Sequence, residues 1–299
     1  AKINTTNGCM PIKIYGNELN NKEINIDIPS AQIKSGLILA ALNTKGQTTL
    51  YESNITRNHT EIMLESFGAK INVSKENDLN KITIIGKNEL KPKNIEVPGD
   101  LSSSAFFIVA ALINNQSKII LKNVNKNPTR DGILIALQKM GAKINITNLR
   151  SLNNEEVVDI QVESSELNGC DLNSDIAKLM IDEYPILAIA AACANSPSIF
   201  RGLSELRIKE SDRLELIKTN LLRCGCYCKI INDDLFIDPL NKTEIKNNQI
   251  KTDYDHRIAM SFAVLGSKIG NLEIEDAKSI STSFPNFANE FNKAGGKIL

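Results

Sequence analysis

Phe67-Gly68-Ala69-Lys70-Ile71 recurs as Met140-Gly141-Ala142-Lys143-Ile144, as Cys224-Gly225-Cys226 running on to Ile230, and as Ala294-Gly295-Gly296-Lys297-Ile298. Each time an amphipathic helical pattern stops at a glycine and a strand pattern restarts. A glycine just past a helix end is the ordinary left-handed cap, so one such site says little. Four of them, spaced by 73, 84 and 70 residues, predict a repeated supersecondary unit.

Working outward, each repeat also holds an earlier segment rich in small apolar residues, at 31–42, 101–113, 184–194 and 258–264. Segments apolar on nearly every side predict buried helices, whereas 60–67, 131–140 and 214–223 carry mixed faces and predict surface helices. Between them lie β-rich stretches such as 118–121 and 198–200. Each unit thus reads buried helix, strands, surface helix, strand, an α/β arrangement with helices packed on sheets. The Pro-Gly pair in Val97-Pro98-Gly99-Asp100 predicts a boundary that leaves one unit in 1–98 and three in 99–299. One unit beside three is lopsided, and the chain opens at Ala1 rather than Met, so a missing N-terminal portion is expected.

Composition narrows the function. The 299 residues carry 35 Lys+Arg against 35 Asp+Glu, with 42% hydrophobic residues, which excludes a disordered chain. Balanced charge and no basic block exclude a nucleic-acid binder that relies on bulk charge, so any anion must be gripped locally. Only eight of the cations are arginine, at 57, 130, 150, 201, 207, 213, 223 and 257. Arginine binds phosphate or carboxylate with two parallel N–H groups, which lysine cannot reproduce, so each of these merits inspection.

Six cysteines without a signal-like opening predict reduced thiols in a cytoplasmic protein. Cys224, Cys226 and Cys228 lack the paired Cys-x-x-Cys form, and the only histidines are His59 and His256. Alternation along a strand explains the run as apolar side chains on one face, so no metal is expected. The longest apolar runs, such as 185–194, fall short of the ~18 residues that a membrane helix needs, so no membrane association is expected.

The strongest chemical cluster is Arg207-Ile208-Lys209-Glu210-Ser211-Asp212-Arg213. If it opens the following helix, Lys209 and Arg213 at i,i+4 and Glu210 and Arg213 at i,i+3 present two cations and a carboxylate together. The bland reading is a solvated first turn with surface ion pairs. Against it, cations at a helix N-terminus oppose the macrodipole, which implies a bound anion or partner.

Asp255-His256-Arg257 repeats the pattern, with Asp255 as N-cap and an arginine in the first turn of a buried helix; His256 is a structural hydrogen-bonder or a catalyst. Ser30 directly after Pro29 reads as the N-cap of another buried helix, whose free amides suit a phosphate. Arg57 precedes the partner helix of that unit and would otherwise be an exposed turn residue. Asp182-Glu183 stands before Tyr184-Pro185 and the most apolar helix; these carboxylates either cap it or act as a partly desolvated general base. Several cations and two or three carboxylates, all at helix starts, suit acid/base work on a substrate with several phosphate or carboxylate groups.

Ser30-Ala31-Gln32-Ile33-Lys34-Ser35, Thr56-Arg57-Asn58-His59-Thr60, Pro98 to Ser103, Asn127-Pro128-Thr129-Arg130, Ile181 to Pro185, Lys209 to Arg213, Asp255 to Met260 and Ser283-Phe284-Pro285 stand in an order that resembles the 5-enolpyruvylshikimate-3-phosphate synthase family. The Ser-Ala-Gln and Asp-Glu-Tyr-Pro variants look like its bacterial class II branch. The resemblance implies an inverse α/β prism of repeated units in a two-domain clamp, with four of six units present: 1–98 as the last repeat of one domain and 99–299 as the whole of the other. It implies a monomer that moves the enolpyruvyl group of phosphoenolpyruvate to the 5-hydroxyl of shikimate 3-phosphate, releases phosphate and uses no cofactor.

Carried over by position, Ser30, Ala31, Gln32 and Arg57 correspond to the shikimate 3-phosphate site, and Lys209 contacts the same substrate. By the same resemblance, Asp182 matches the residue that accepts the 5-hydroxyl proton, Glu210 the one that protonates the methylene carbon of phosphoenolpyruvate, and Arg213 and Arg257 the clamp on its anion, with His256 beside it. Thr282 stands where many members carry lysine. The alternatives are a UDP-N-acetylglucosamine enolpyruvyl transferase, which Lys209 to Arg213 does not suit, and a non-catalytic remnant that binds shikimate 3-phosphate.

Overall fold

The computed structural model describes residues 2–244 and 248–299. It comprises two compact units, Ala1–Glu96 with Ser151–Glu155, and Val97–Arg150 with Glu156–Leu299.

Unit 1 starts with an exposed antiparallel hairpin, β1 (Lys2–Thr6) and β2 (Cys9–Tyr15). One α/β repeat follows: β3 (Glu23–Ile26), α1 (Ala31–Ala41), β4 (Gln47–Glu52), α2 (His59–Ser66), β5 (Lys70–Glu76) and β6 (Leu79–Ile85). Strands β3 and β4 pair in parallel, which needs α1 as the crossover, while β6 lies antiparallel between β4 and β5. Ile38, Leu50, Leu64, Ile82 and Ile84 form its core.

Unit 2 repeats that plan. Its first copy is α3 (Leu101–Ile113), β7 (Lys118–Asn125), α4 (Gly132–Lys139), β8 (Lys143–Leu152) and β9 (Glu155–Glu163), ordered β7-β9-β8. A parallel bridge from Gly99 to Val124 stands where the first strand would lie. The next copy is β10 (Asp171–Leu172), α5 (Ser174–Met180), a 3-10 turn at Ile181–Glu183, α6 (Tyr184–Ala192), β11 (Ser198–Phe200), α7 (Arg213–Arg223), β12 (Cys226–Ile231) and β13 (Asp234–Lys242). Its order β10-β11-β13-β12 reproduces β3-β4-β6-β5 strand for strand. The last copy holds β14 (Gln249–Ile250), α8 (His256–Ile269), β15 (Glu273–Ile274) and α9 (Phe287–Lys293), with β14 parallel to β15 across α8.

Helices α3, α6 and α8 pack on one another inside unit 2, and the sheets lie outside them. The central position explains why these segments are apolar all round. The four glycines do cap their helices in the left-handed region, with φ of +84° at Gly68, +87° at Gly141, +80° at Gly225 and +99° at Gly295.

Three expectations need correction. Helix α1 buries one face only, leaving Ile33 43% and Leu39 50% exposed, because unit 1 offers it one sheet and one neighbouring helix among the described residues. No strand forms after Gly295: Asn292 takes both Ile298 polar groups, donating to its carbonyl at 2.9 Å and accepting from its N–H at 2.7 Å. Lys209 to Ser211 do not open a helix, since α7 begins at Arg213 behind Asp212, whose carboxylate caps Glu215 N–H.

Candidate active site

In unit 2 the site is organised by Arg213, the first residue of α7, whose side chain is wholly buried. Its Nε donates to Asp255 Oδ2 at 2.8 Å and its NH1 to Asp182 Oδ1 at 3.1 Å. Glu210 Oε2 lies 2.5 Å from NH2 but off the N–H direction, so NH2 pairs by charge without a hydrogen bond among the described residues. One guanidinium therefore stands between Asp182 on one amino nitrogen and Glu210 on the other.

Asp255 caps α8 by accepting from Arg257 N–H and Ile258 N–H. Its second oxygen takes Arg213 and the Ser211 hydroxyl, at 3.0 Å. Burial alone would raise its pKa, but the Arg213 charge and these hydrogen bonds outweigh it and hold the carboxyl below its ordinary value. Lys209 Nζ lies 2.5 Å from Glu205 and 3.6 Å from Asp182. Arg257 NH1 donates to the Asp182 carbonyl at 3.1 Å and lies 3.7 Å from Glu183. Burial, and then the Arg257 cation next to it, lower the pKa of His256, so its ring is neutral near pH 7.

Behind Arg257 lies a second layer. Glu183 is buried and accepts from the Ser102 hydroxyl, which itself accepts from Arg130 NH2 at 2.6 Å; Arg130 also pairs with Asp100 at 2.8 Å. These contacts overturn the capping reading for Glu183, which makes no side-chain cap on α6. The sequence alone placed Asp255 only as a cap, offered Glu183 as a cap or a base beside Asp182, and assigned no role to Ser102 or Arg130. The scarcity of arginine was the signal that pointed to Arg130.

Unit 1 carries the remaining candidates. Ser30 Oγ accepts from Ile33 N–H at 3.4 Å and caps α1, with Ala31 and Gln32 in the first turn. Arg57 is half-buried in the loop before α2. Asp182, Lys209, Glu210, Arg213 and Arg257 thus share one network in unit 2, with His256 beside Arg257. Ser30, Ala31, Gln32 and Arg57 belong to unit 1.

Among the described residues no group of three or more His, Cys, Asp or Glu is arranged to hold a metal ion. Cys226 and Cys228 point to the buried side of β12 as free thiols, and burial pushes Cys226 up to about 11. Thr282 Oγ1 donates to the Ser279 carbonyl at 2.7 Å.

The EPSP synthase (3-phosphoshikimate 1-carboxyvinyltransferase) family matches residues 1–291. A 3-phosphoshikimate 1-carboxyvinyltransferase of Ruthia magnifica subsp. Calyptogena magnifica is 40% identical over 302 residues, covering 100% of this chain and 68% of the relative. One of Rhizobium johnstonii is 44% identical over 279 residues, covering 91% and 62%. The solved EPSP synthase of Acinetobacter baumannii superposes with a TM-score of 0.84 at 37% identity, covering 98% of this chain and 67% of that one. The chain spans about two thirds of the length of these relatives, 62% to 68%. Their name favours a shikimate 3-phosphate acceptor over the UDP-sugar weighed from the sequence. By sequence and by fold, the chain belongs to the EPSP synthase family, transferases of the shikimate pathway that act in aromatic amino-acid biosynthesis.

Proposed function

We infer that this chain takes part in transferring the enolpyruvyl group of phosphoenolpyruvate to the 5-hydroxyl of shikimate 3-phosphate. The observation that carries the reading is the Arg213 guanidinium between Asp182 and Glu210. Addition to an enol ether needs a base at the attacking hydroxyl, an acid at the methylene carbon, and cations for the substrate's charge. Asp182 takes the 5-hydroxyl proton as that oxygen bonds to the central carbon of phosphoenolpyruvate, while Glu210, half exposed, gives a proton to the methylene carbon. The adduct then gives a methyl proton back to Glu210 and expels phosphate, which takes the proton held by Asp182, and the enol ether re-forms on the shikimate oxygen. Both carboxyl groups recover their starting protonation states and no oxidation or reduction occurs, so the chemistry needs no cofactor.

Arg213 and Arg257 hold the phosphoenolpyruvate anion, with His256 as a neutral neighbour, and Lys209 contacts shikimate 3-phosphate. Ser30, Ala31, Gln32 and Arg57 of unit 1 hold the latter's phosphate. On this reading 1–98 is the last repeat of a three-unit domain and 99–299 a complete one. Balanced charge supports two small anions, rather than nucleic acid or membrane, as partners of a cytoplasmic monomer; no helix among the described residues is long and apolar enough to cross a membrane.

The test is Asp182→Asn, with phosphate release measured in the presence of both substrates and binding of each followed by calorimetry. Turnover should fall at least about a hundredfold, the usual contribution of a general base, with shikimate 3-phosphate still bound. Near-normal turnover in the variant overturns the base assignment. Binding without turnover in the unaltered chain would mark a chain that holds the substrate and does not react it.

A further inference from the structure

Unit 1 buries a lysine that the reaction does not use. Lys34, on α1 one turn beyond the Ser30 cap, has no exposed surface, and its ammonium meets three segments at once. It lies 3.2 Å from Glu52 at the end of β4, 2.8 Å from Glu61 in the first turn of α2, and donates to the Thr56 carbonyl at 3.1 Å. Both carboxylates are buried as well, and the second oxygen of Glu61 has no hydrogen-bond partner among the described residues. Glu52 is further fixed by Thr56 Oγ1 at 3.0 Å and Asn80 Nδ2 at 2.7 Å.

A buried ion triad is a poor source of stability, because desolvating the charges costs about what their attraction returns, and apolar side chains of similar size commonly do as well. What the triad supplies is geometry. Thr56 is the residue before Arg57, so its carbonyl sets the backbone plane from which Arg57 departs. The lysine holding that carbonyl sits on the helix whose first turn carries Ser30 and Gln32. We propose that Lys34 is a positioning residue: with Glu52 and Glu61 it keeps Arg57 in register with the α1 N-terminus, so that both grip one phosphate of the substrate. This rests on the reading of Ser30 and Arg57 as the shikimate 3-phosphate contact.

The test is calorimetric titration of the full chain with shikimate 3-phosphate, on Arg57→Ala, on Lys34→Met combined with Glu52→Gln and Glu61→Gln, and on all four changes together. The combined triad variant leaves no buried charge unpaired, and its fold is checked by thermal melting. Affinity should drop about tenfold in the triad variant, the scale of one weakened charge-assisted contact. It should drop no further when the triad changes are added to Arg57→Ala, because Lys34 acts through Arg57. Lys34→Gln made together with the same Glu52→Gln and Glu61→Gln changes keeps a donor for the Thr56 carbonyl, also leaves no buried charge unpaired, and should recover most of the affinity; its melt, compared with that of the methionine version, separates a lost contact from a lost fold. Losses that add independently, or a triad variant with full affinity, overturn the proposal. Arg57→Ala binding as tightly as the unaltered chain overturns the reading of Arg57, and the positioning role with it.

Discussion

Replacing Asp255 should remove a helix cap and a counter-ion at once. It is fully buried and accepts four hydrogen bonds, from Arg213 Nε (2.8 Å), Ser211 Oγ (3.0 Å), Arg257 N–H (2.9 Å) and Ile258 N–H (3.4 Å). Alanine removes the cap of α8, worth ~1 kcal/mol. It also takes one of three carboxylates from a guanidinium with no exposed surface; losing one partner of a buried pair costs ~3–5 kcal/mol, with the lower end applying because Asp182 and Glu210 remain. Asp255→Ala should therefore cost about 4 kcal/mol. Asparagine keeps the capping oxygen but turns an amide donor toward Arg213, so Asp255→Asn should cost about 2–3 kcal/mol. Ser211→Ala loses one hydroxyl contact and should cost about 1 kcal/mol.

Urea unfolding followed by far-UV circular dichroism gives the totals, and hydrogen exchange of the α8 amides localises them. The order Ala, then Asn, then Ser211→Ala is the signature of a charge held by a capping carboxylate. An Asp255→Ala loss below about 1.5 kcal/mol would mean that Arg213 is adequately paired without Asp255, and would refute the reasoning.

The other predictions concern pH, a buried hydroxyl and the thiols. Asp255 and Asp100 have folded pKa values below the ordinary 3.8, so their contribution is complete above pH 3.8 and is lost as pH falls below it. His256 has a folded pKa below 6.5, so stability should also decline as pH drops from 6.5; melting temperatures from pH 8 to 3 should be flat and then fall, and a maximum near pH 5 would contradict this. Tyr184 is fully buried with a hydroxyl that lacks a partner among the described residues, so Tyr184→Phe should stabilise by about 1 kcal/mol in the same urea experiment; a loss would reveal a partner for that hydroxyl. Burial pushes Cys193, Cys224 and Cys226 up to about 11, so at pH 8 iodoacetamide should label exposed Cys9 well before them, as read by peptide mass spectrometry.

The repeat was legible because it is written in local signals. Gly68, Gly141, Gly225 and Gly295 each need positive φ, and a backbone demand of that kind fixes residue type wherever the helix packs. The buried helices were legible for a similar reason, since α3, α6 and α8 meet neighbours on every side. Helix α1 carries the same composition and is half open, because burial depends on neighbours that its own residues do not specify. The site was legible as a set of charges but not as a geometry. The i,i+3 and i,i+4 argument for Lys209 to Arg213 assumed a helix that starts later; Lys209 reaches Asp182 from extended backbone instead. Asp255 and Glu183 were hidden because a carboxylate before a helix looks like a cap, and only tertiary contact tells that Asp255 is both cap and counter-ion while Glu183 is neither cap nor exposed.

The repeat also accounts for where the charges gather. The central helix of each copy in unit 2 begins with charged or hydroxyl residues: Asp100 and Ser102 at α3, Asp182 and Glu183 before α6, Asp255 and Arg257 at α8. These starts touch, through Ser102 to Glu183 and through Arg257 to both the Asp182 carbonyl and Glu183. Three helices with related packing thus direct their N-termini, and the positive ends of their dipoles, to one place. The carboxylates there offset the dipoles, and Arg213 and Arg257, unfavourable near a lone N-terminus, are held by those carboxylates. An end so provided with N–H groups and guanidinium groups suits an anionic substrate. Unit 1 presents the equivalent position at Ser30, Ala31 and Gln32, the start of its own repeat helix. Ser30, Ala31, Gln32, Asp182 and Arg257 therefore mark one structural position, the start of the central helix, in three of the copies, while Arg57 and Lys209 to Arg213 come from the approach to the second helix of their copies.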